Sequence, residues 1–184
     1  MRRPPASSGA VQWAYGIFGI LFLTMVICFE LQIESYRASS DLMEDALAAG
    51  NLASAVIDLR EYGKTGILQI RDPLDSYRIY REALAVNLGL NGAGEGGNAA
   101  LISGRVQVES YIVYNVSEGM VTEIRVAGDD TGTRTGRLGE VTTPEGQMVS
   151  STGVYSRISY PVKGWLGTEV TARKGNLAEV VRNP

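Results

Sequence analysis

Nineteen consecutive residues, Val11 to Phe29 (VQWAYGIFGILFLTMVICF), carry no charge. The uncharged run reaches back to Pro4, and Glu30 is the first acidic residue after it. At ~1.5 Å of rise per residue, the nineteen residues span about 28 Å as a helix, close to the ~30 Å hydrocarbon thickness of a bilayer. A soluble domain has no need of so long a one-piece apolar helix. The stretch reads as a single transmembrane helix, and the lipid bilayer as its first partner.

Charge sets the expected orientation. Arg2 and Arg3 are the only charges ahead of the segment, whereas the chain from Glu30 onward holds 20 acidic and 15 basic residues. Positive charge is retained on the cytoplasmic side. The N-terminus is therefore expected in the cytoplasm and residues 31–184 outside, with Trp13 and Tyr15 at the inner interface. A cleaved signal peptide is the competing reading. It would need an apolar core of ~7–15 residues and a small-x-small site, and Val26 to Leu31 (VICFEL) offers no such site. Cys28 is the chain's one cysteine and lies within the apolar run. Met25, Val26 and Ile27 before it are too bulky for a lipidation signal, so it reads as a small packing residue.

Past the membrane, residues 30–62 contain no proline and keep helical spacing. Leu42, Ala46, Ala49, Ala53 and Val56, with Leu52, Ala55 and Leu59, form one small-and-aliphatic stripe suited to a sheet or to a neighbouring copy. Gly50-Asn51 is the weak point at which that helix bends or splits, and Gly63 and Gly66 end it. A short strand is expected at Ile67–Ile70. Asp72-Pro73 opens a second helix as N-cap and first helical residue, Gly89 closes it, and Leu74, Tyr77, Leu84 and Leu88 form its apolar side, with Tyr80 and Ala83 alongside. The loop Asn91 to Asn98 (NGAGEGGN) lacks the spacing of a phosphate-binding loop.

From Ile102 the period becomes two. Val106, Val108, Ile112, Tyr114 and Val116 read as one buried face of a strand. Ser117-Glu118-Gly119 reads as a turn and Met120 to Val126 as the returning strand, with Glu123 and Arg125 solvated. Asp129 to Gly139 reads as a polar loop without calcium-ligand spacing, and Thr143 to Gly146 as a turn. Gly153–Val162 and Gly167–Arg173 are the last long strands, with Tyr155, Ile158, Tyr160 and Val162 inward. A final short strand is expected around Leu177, Val180 and Val181. Trp165-Leu166 is an apolar pair in a glycine-flanked turn, which either folds onto the core or touches a membrane or partner. Asn115-Val116-Ser117 matches a glycosylation sequon.

The predicted fold class is α+β: a long N-terminal helix (transmembrane plus extracytoplasmic continuation), a second short helix and an antiparallel β-sheet. Its expected divisions are a cytoplasmic arm (1–10), the transmembrane helix (11–30) and an extracytoplasmic domain (31–184). That domain comprises the helix continuation (31–62), the second helix (72–89) and the sheet (102–184).

Composition narrows function. The chain has no histidine, which removes histidine-dependent nucleophilic catalysis and the usual zinc and haem sites. The acidic residues are spread over helix faces and turns and read as solvated surface. Basic residues occur singly, unlike a nucleic-acid footprint. No enzyme activity, cofactor, metal, nucleic acid or small-molecule substrate is expected.

One resemblance bears on the N-terminus. Arg2-Arg3 followed by Gly9-Ala10-Val11-Gln12-Trp13-Ala14 is similar to the start of minor pilins of the Tad (tight adherence) type. There, basic residues and a glycine precede a short Ala/Val-Glu-Phe-Ala stretch that opens the hydrophobic helix. The match covers about the first 35 residues, and the outer domain is similar only in general plan. The resemblance implies a type IV pilus-related structural subunit of a surface filament or of a secretion or adhesion apparatus. Its implied partners are copies of itself or other pilin-like subunits, met through the N-terminal helix. It also implies cleavage by a prepilin peptidase after a glycine, with Gly9 and Gly16 as candidates. Gln12 stands where the family has the glutamate tied to processing or assembly. Gly16 and Gly19 leave room for close helix approach, or reflect the ordinary tolerance of membrane helices for glycine. The alternative function is a membrane-anchored extracellular binding or sensing domain without enzymatic activity.

Overall fold

The computed structural model describes residues 8–96, 104–163 and 168–181. Its elements are α1 (Ser8–Ser54), α2 (Leu59–Thr65), α3 (Pro73–Leu88), β1 (Gln107–Ser117), β2 (Met120–Ala127), β3 (Asp130–Arg137), β4 (Gly153–Lys163) and β5 (Glu169–Glu179). The fold is α+β. One long N-terminal helix precedes two short ones and an antiparallel sheet of order β3-β2-β1-β4-β5. The chain divides into two compact units, Met1–Arg37 and Ala38–Pro184.

Within the second unit, α1 buries Ser39, Met43, Ala46, Leu47, Gly50, Asn51 and Ser54. That is helical spacing, but the stripe differs from the expected one, because Leu52 and Val56 are exposed. Gly50 does not break the helix. It lets the backbone approach the Tyr80 ring, whose carbons lie 3.2 Å from where a Cβ would stand. The helix ends at Ser54 rather than near Tyr62. Asp58 starts a new one, its carboxylate accepting from the Arg60 and Glu61 N–H groups at 3.0 and 3.1 Å. Gly63 lies inside α2, and Gly66 closes it in the left-handed conformation.

Ile67 to Ile70 forms no strand; the Asp58 N–H bonds the Gln69 carbonyl (3.0 Å), and side chains hold the rest. Asn115 accepts from the Ile70 N–H (2.8 Å) and donates to the Ile70 carbonyl (3.0 Å), and the Thr152 hydroxyl donates to the Leu68 carbonyl (2.7 Å). The sequon asparagine thus spends both ends of its amide inside the fold. α3 follows its sequence signals, with Asp72 as N-cap, Pro73 in the first turn and Gly89 as left-handed cap. Its buried face is Ser76, Tyr80, Leu84 and Leu88, while Leu74 is 42% exposed. Tyr80 is thus central to the face rather than beside it.

β1 and β2 join through Glu118-Gly119, with φ of 50° and 77°. Two consecutive positive φ values are what a two-residue hairpin turn requires. A bulge between Val108 and Ser110 shifts the phase of β1, so the expected single face splits in two. Val106, Val108, Tyr111 and Val113 join the larger core with Met43, Leu47, Tyr80, Leu84, Val154 and Ile158. Ile112, Tyr114 and Val116 face the other way, into a second cluster with Val121, Val149 and Tyr155. Tyr155 therefore points opposite to Ile158 and Tyr160.

Three other expectations change. The polar stretch after Asp129 is an exposed edge strand, β3, rather than a loop. β5 runs unbroken through Leu177, so no separate final strand forms there. Glu123 is buried, its side chain 8% exposed and bound to Arg125 at 2.5 Å. The turn at Thr143 to Gly146 forms as expected, closed by the Gly146 N–H bonding the Thr143 carbonyl.

Candidate functional site

α1 has no side chain bearing a formal charge from Val11 to Phe29, and every residue from Val11 to Leu31 is exposed. Apolar side chains cover the whole circumference, including Trp13, Phe18, Phe22 and Leu23 at 60% exposure or more. In water each exposed side chain of this size forgoes ~1.5–3 kcal/mol of burial. A helix satisfies its backbone polar groups internally, which is what hydrocarbon demands. Thr24 follows the same rule, its hydroxyl donating to the Ile20 carbonyl at 2.9 Å. α1 is the one described helix long and apolar enough to cross a membrane. Glu34 and Arg37, paired at 2.7 Å, bring charge back beyond it.

Several residues singled out in the sequence lie on this segment. At Gly9, Gly16 and Gly19 no atom comes within 4 Å of a hypothetical Cβ. Helical spacing places Gly9, Gln12, Gly16 and Gly19 on one stripe, at intervals of three, four and three. Gln12 is the lone side-chain amide between Gly9 and Phe29. Cys28 is exposed on the same helix. Trp165 and Leu166 lie outside the described residues.

A second concentration of polar groups lies inside the Ala38–Pro184 unit, and sequence reading missed it. Ser76 donates to the Ser54 carbonyl (2.7 Å), and its oxygen lies 2.6 Å from the Tyr111 hydroxyl. Each hydroxyl has one proton, so Tyr111 donates to Ser76. Burial pushes the Tyr111 and Tyr80 pKa values up, keeping both phenols protonated. Asn51 donates to the Asn176 carbonyl (2.8 Å). The Tyr77 and Tyr111 rings lie 5.1 Å apart, and those of Tyr80 and Tyr111 5.0 Å. The sequence signal was helical spacing from Met43 and Leu47 to Asn51 and Ser54, and from Ser76 to Tyr80 and Leu84, which on α1 is a different stripe from the expected one.

Next to this group, Val56, Ile57, Asp58, Arg71, Asp75 and Ser76 border a cleft of about 180 Å³, below the ~300–1,000 Å³ of small-molecule sites. Among the described residues no group of three or more His, Cys, Asp or Glu is placed to hold a metal ion. No family model, curated protein or solved structure matches this chain.

Proposed function

We propose that the chain is a single-span, pilin-like structural subunit. Its N-terminal helix anchors it in a membrane and packs against the same helix of other copies or of related subunits. The observation that carries this reading is the exposure of every residue from Val11 to Leu31. A surface so apolar on all sides needs lipid, other helices, or each in turn. In lipid the hydrophobic effect does not drive helices together, so association depends on close backbone approach and on polar contacts. The stripe of Gly9, Gln12, Gly16 and Gly19 supplies both, with Gln12 bonding its counterpart across the seam. Arg2-Arg3 keeps the N-terminus in the cytoplasm and the β-sheet domain outside. The similarity of Gly9 to Ala14 to the Tad-type pilin start supports the same reading, and it extends to a surface filament or a secretion or adhesion apparatus.

The test is helix association in liposomes, read by energy transfer between donor- and acceptor-labelled full-length chains. Gly16→Leu and Gly19→Leu are each expected to weaken it about tenfold, the effect of losing ~1.4 kcal/mol. Gln12→Leu acts in the same direction. Unchanged transfer in all three variants sinks the proposal of a packing seam and leaves a bare anchor.

A further inference from the structure

The sheet has two edge strands, and among the described residues side chains from outside the sheet engage only one. On β5, Asn51 donates to the Asn176 carbonyl (2.8 Å), and Lys174 binds Glu44 (2.7 Å), so α1 side chains hold that strand. Among the described residues β3 has no such side-chain ties. Apart from Gly136 its residues are exposed, and among the described residues no side-chain hydrogen bond or ion pair ties it down. It has no proline, lysine or bulge, and the charges on it are Asp130, Arg134 and Arg137. Its sequence is DTGTRTGR, and its register with β2 runs unbroken from Met120↔Arg137 to Ala127↔Asp130.

The unpaired groups can be assigned. Ala127 and Asp130 close a two-residue loop, and such a closing pair is hydrogen-bonded. The bonded positions of β3 are then Asp130, Gly132, Arg134 and Gly136. The N–H and C=O groups of Thr131, Thr133 and Thr135 point away from β2.

We propose that β3 pairs antiparallel with β3 of a second copy of this chain, about a two-fold axis at Thr133. A second copy presents the same single open edge, so β3 meets β3. The two-fold is perpendicular to the sheet and keeps its faces, so residues of like face stand opposite. A centre at Arg134 would set two guanidinium groups against each other, which destabilises a cross-strand pair. The centre at Thr133 instead sets Thr133 opposite the partner's Thr133 and Thr131 opposite the partner's Thr135. It places Arg134 opposite the partner's Gly132, diagonal to both the partner's Asp130 and the partner's Arg134, so charge does not set this register. Thr–Thr pairs are favourable. All the outward groups of Thr131, Thr133 and Thr135 then find partners.

The test uses the full chain in detergent, where two copies meet in either orientation, with Cys28→Ala as background. Opposed bonded residues have Cα atoms ~5.5 Å apart, within disulfide range. Thr133→Cys is therefore expected to give a disulfide-linked dimer on mild oxidation. With Thr131→Cys the two sulfur-bearing positions lie four residues apart along the edge, ~13 Å, and about tenfold less dimer is expected. Adding Thr135→Pro to Thr133→Cys removes an N–H that β2 does not use. It should abolish the crosslink and leave the circular dichroism spectrum intact. The proposal is overturned if Thr133→Cys crosslinks no better than Thr131→Cys, or if Gly132→Cys crosslinks best. Gly16→Leu leaves the Thr133→Cys result unchanged, so failure of the edge pairing and failure of the helix seam read separately.

Discussion

Asn115 does at residue scale what a strand would otherwise do. Its amide supplies an acceptor and a donor to the two backbone groups of Ile70, joining an irregular segment to β1 without a ladder. Ile70 is 2% exposed, so water cannot readily replace a lost partner. An unmet buried polar group costs ~1–3 kcal/mol. Asn115→Ala is therefore expected to lower unfolding stability by about 2 kcal/mol, read as a shift of the urea midpoint with an unchanged slope. The sequence showed this residue only as a sequon, because a side chain that mimics a strand leaves no periodic signal. Glu123 was misread for a related reason. Alternation put it on a face taken to be solvated, but that face carries the second cluster, and its charge is met by Arg125.

Element ends were legible where capping chemistry is local. Asp72, Pro73 and Gly89 bound α3 as expected. The end of α1 was missed although Asp58 and Glu61 have the spacing of a helix start; the alanine-rich sequence around them carried the helical reading across it. β3 was missed because alternating threonines do signal a strand, but with both faces polar they look like a loop. The phase of β1 could not be read at all, since the bulge at Val108/Ser110 leaves no mark in composition. Asp58 makes the start of α2 pH-sensitive. The Glu61 N–H, then Arg60 and Arg71, hold its carboxylate below the usual value. The stability this lends is present above the unfolded aspartate value of ~3.9 and is lost as pH falls through the lower folded value. Hydrogen exchange at the Arg60 and Glu61 amides should show protection at neutral pH that fades below about pH 4. Asp58→Ala should remove both the protection and its pH dependence.

At the scale of the whole molecule, one helix serves two environments. α1 is exposed on every side from Val11 to Leu31 and buries one face from Ser39 to Ser54. The sequence made the first half plain, because nineteen uncharged residues permit few alternatives, whereas the second half shares its small-residue stripe with many packing schemes. The division at Arg37/Ala38 makes the difference testable. A chain beginning at Ala38 keeps Met43, Ala46 and Leu47, all buried in the main core. It is expected to fold without detergent, with a cooperative thermal transition and the near-ultraviolet signature of its buried tyrosines. A chain beginning at Leu59 loses those residues together with Asn51 and Ser54. At ~1.5–3 kcal/mol for each large buried side chain, Met43 and Leu47 alone account for about 3–6 kcal/mol. Tyr80 and Leu84 also lose their cover, against a total stability of ~5–15 kcal/mol. That shorter chain should therefore lack the cooperative transition. If it unfolds as cooperatively as the Ala38 chain, the C-terminal part of α1 is not part of the core, and the helix is an appendage along its whole length.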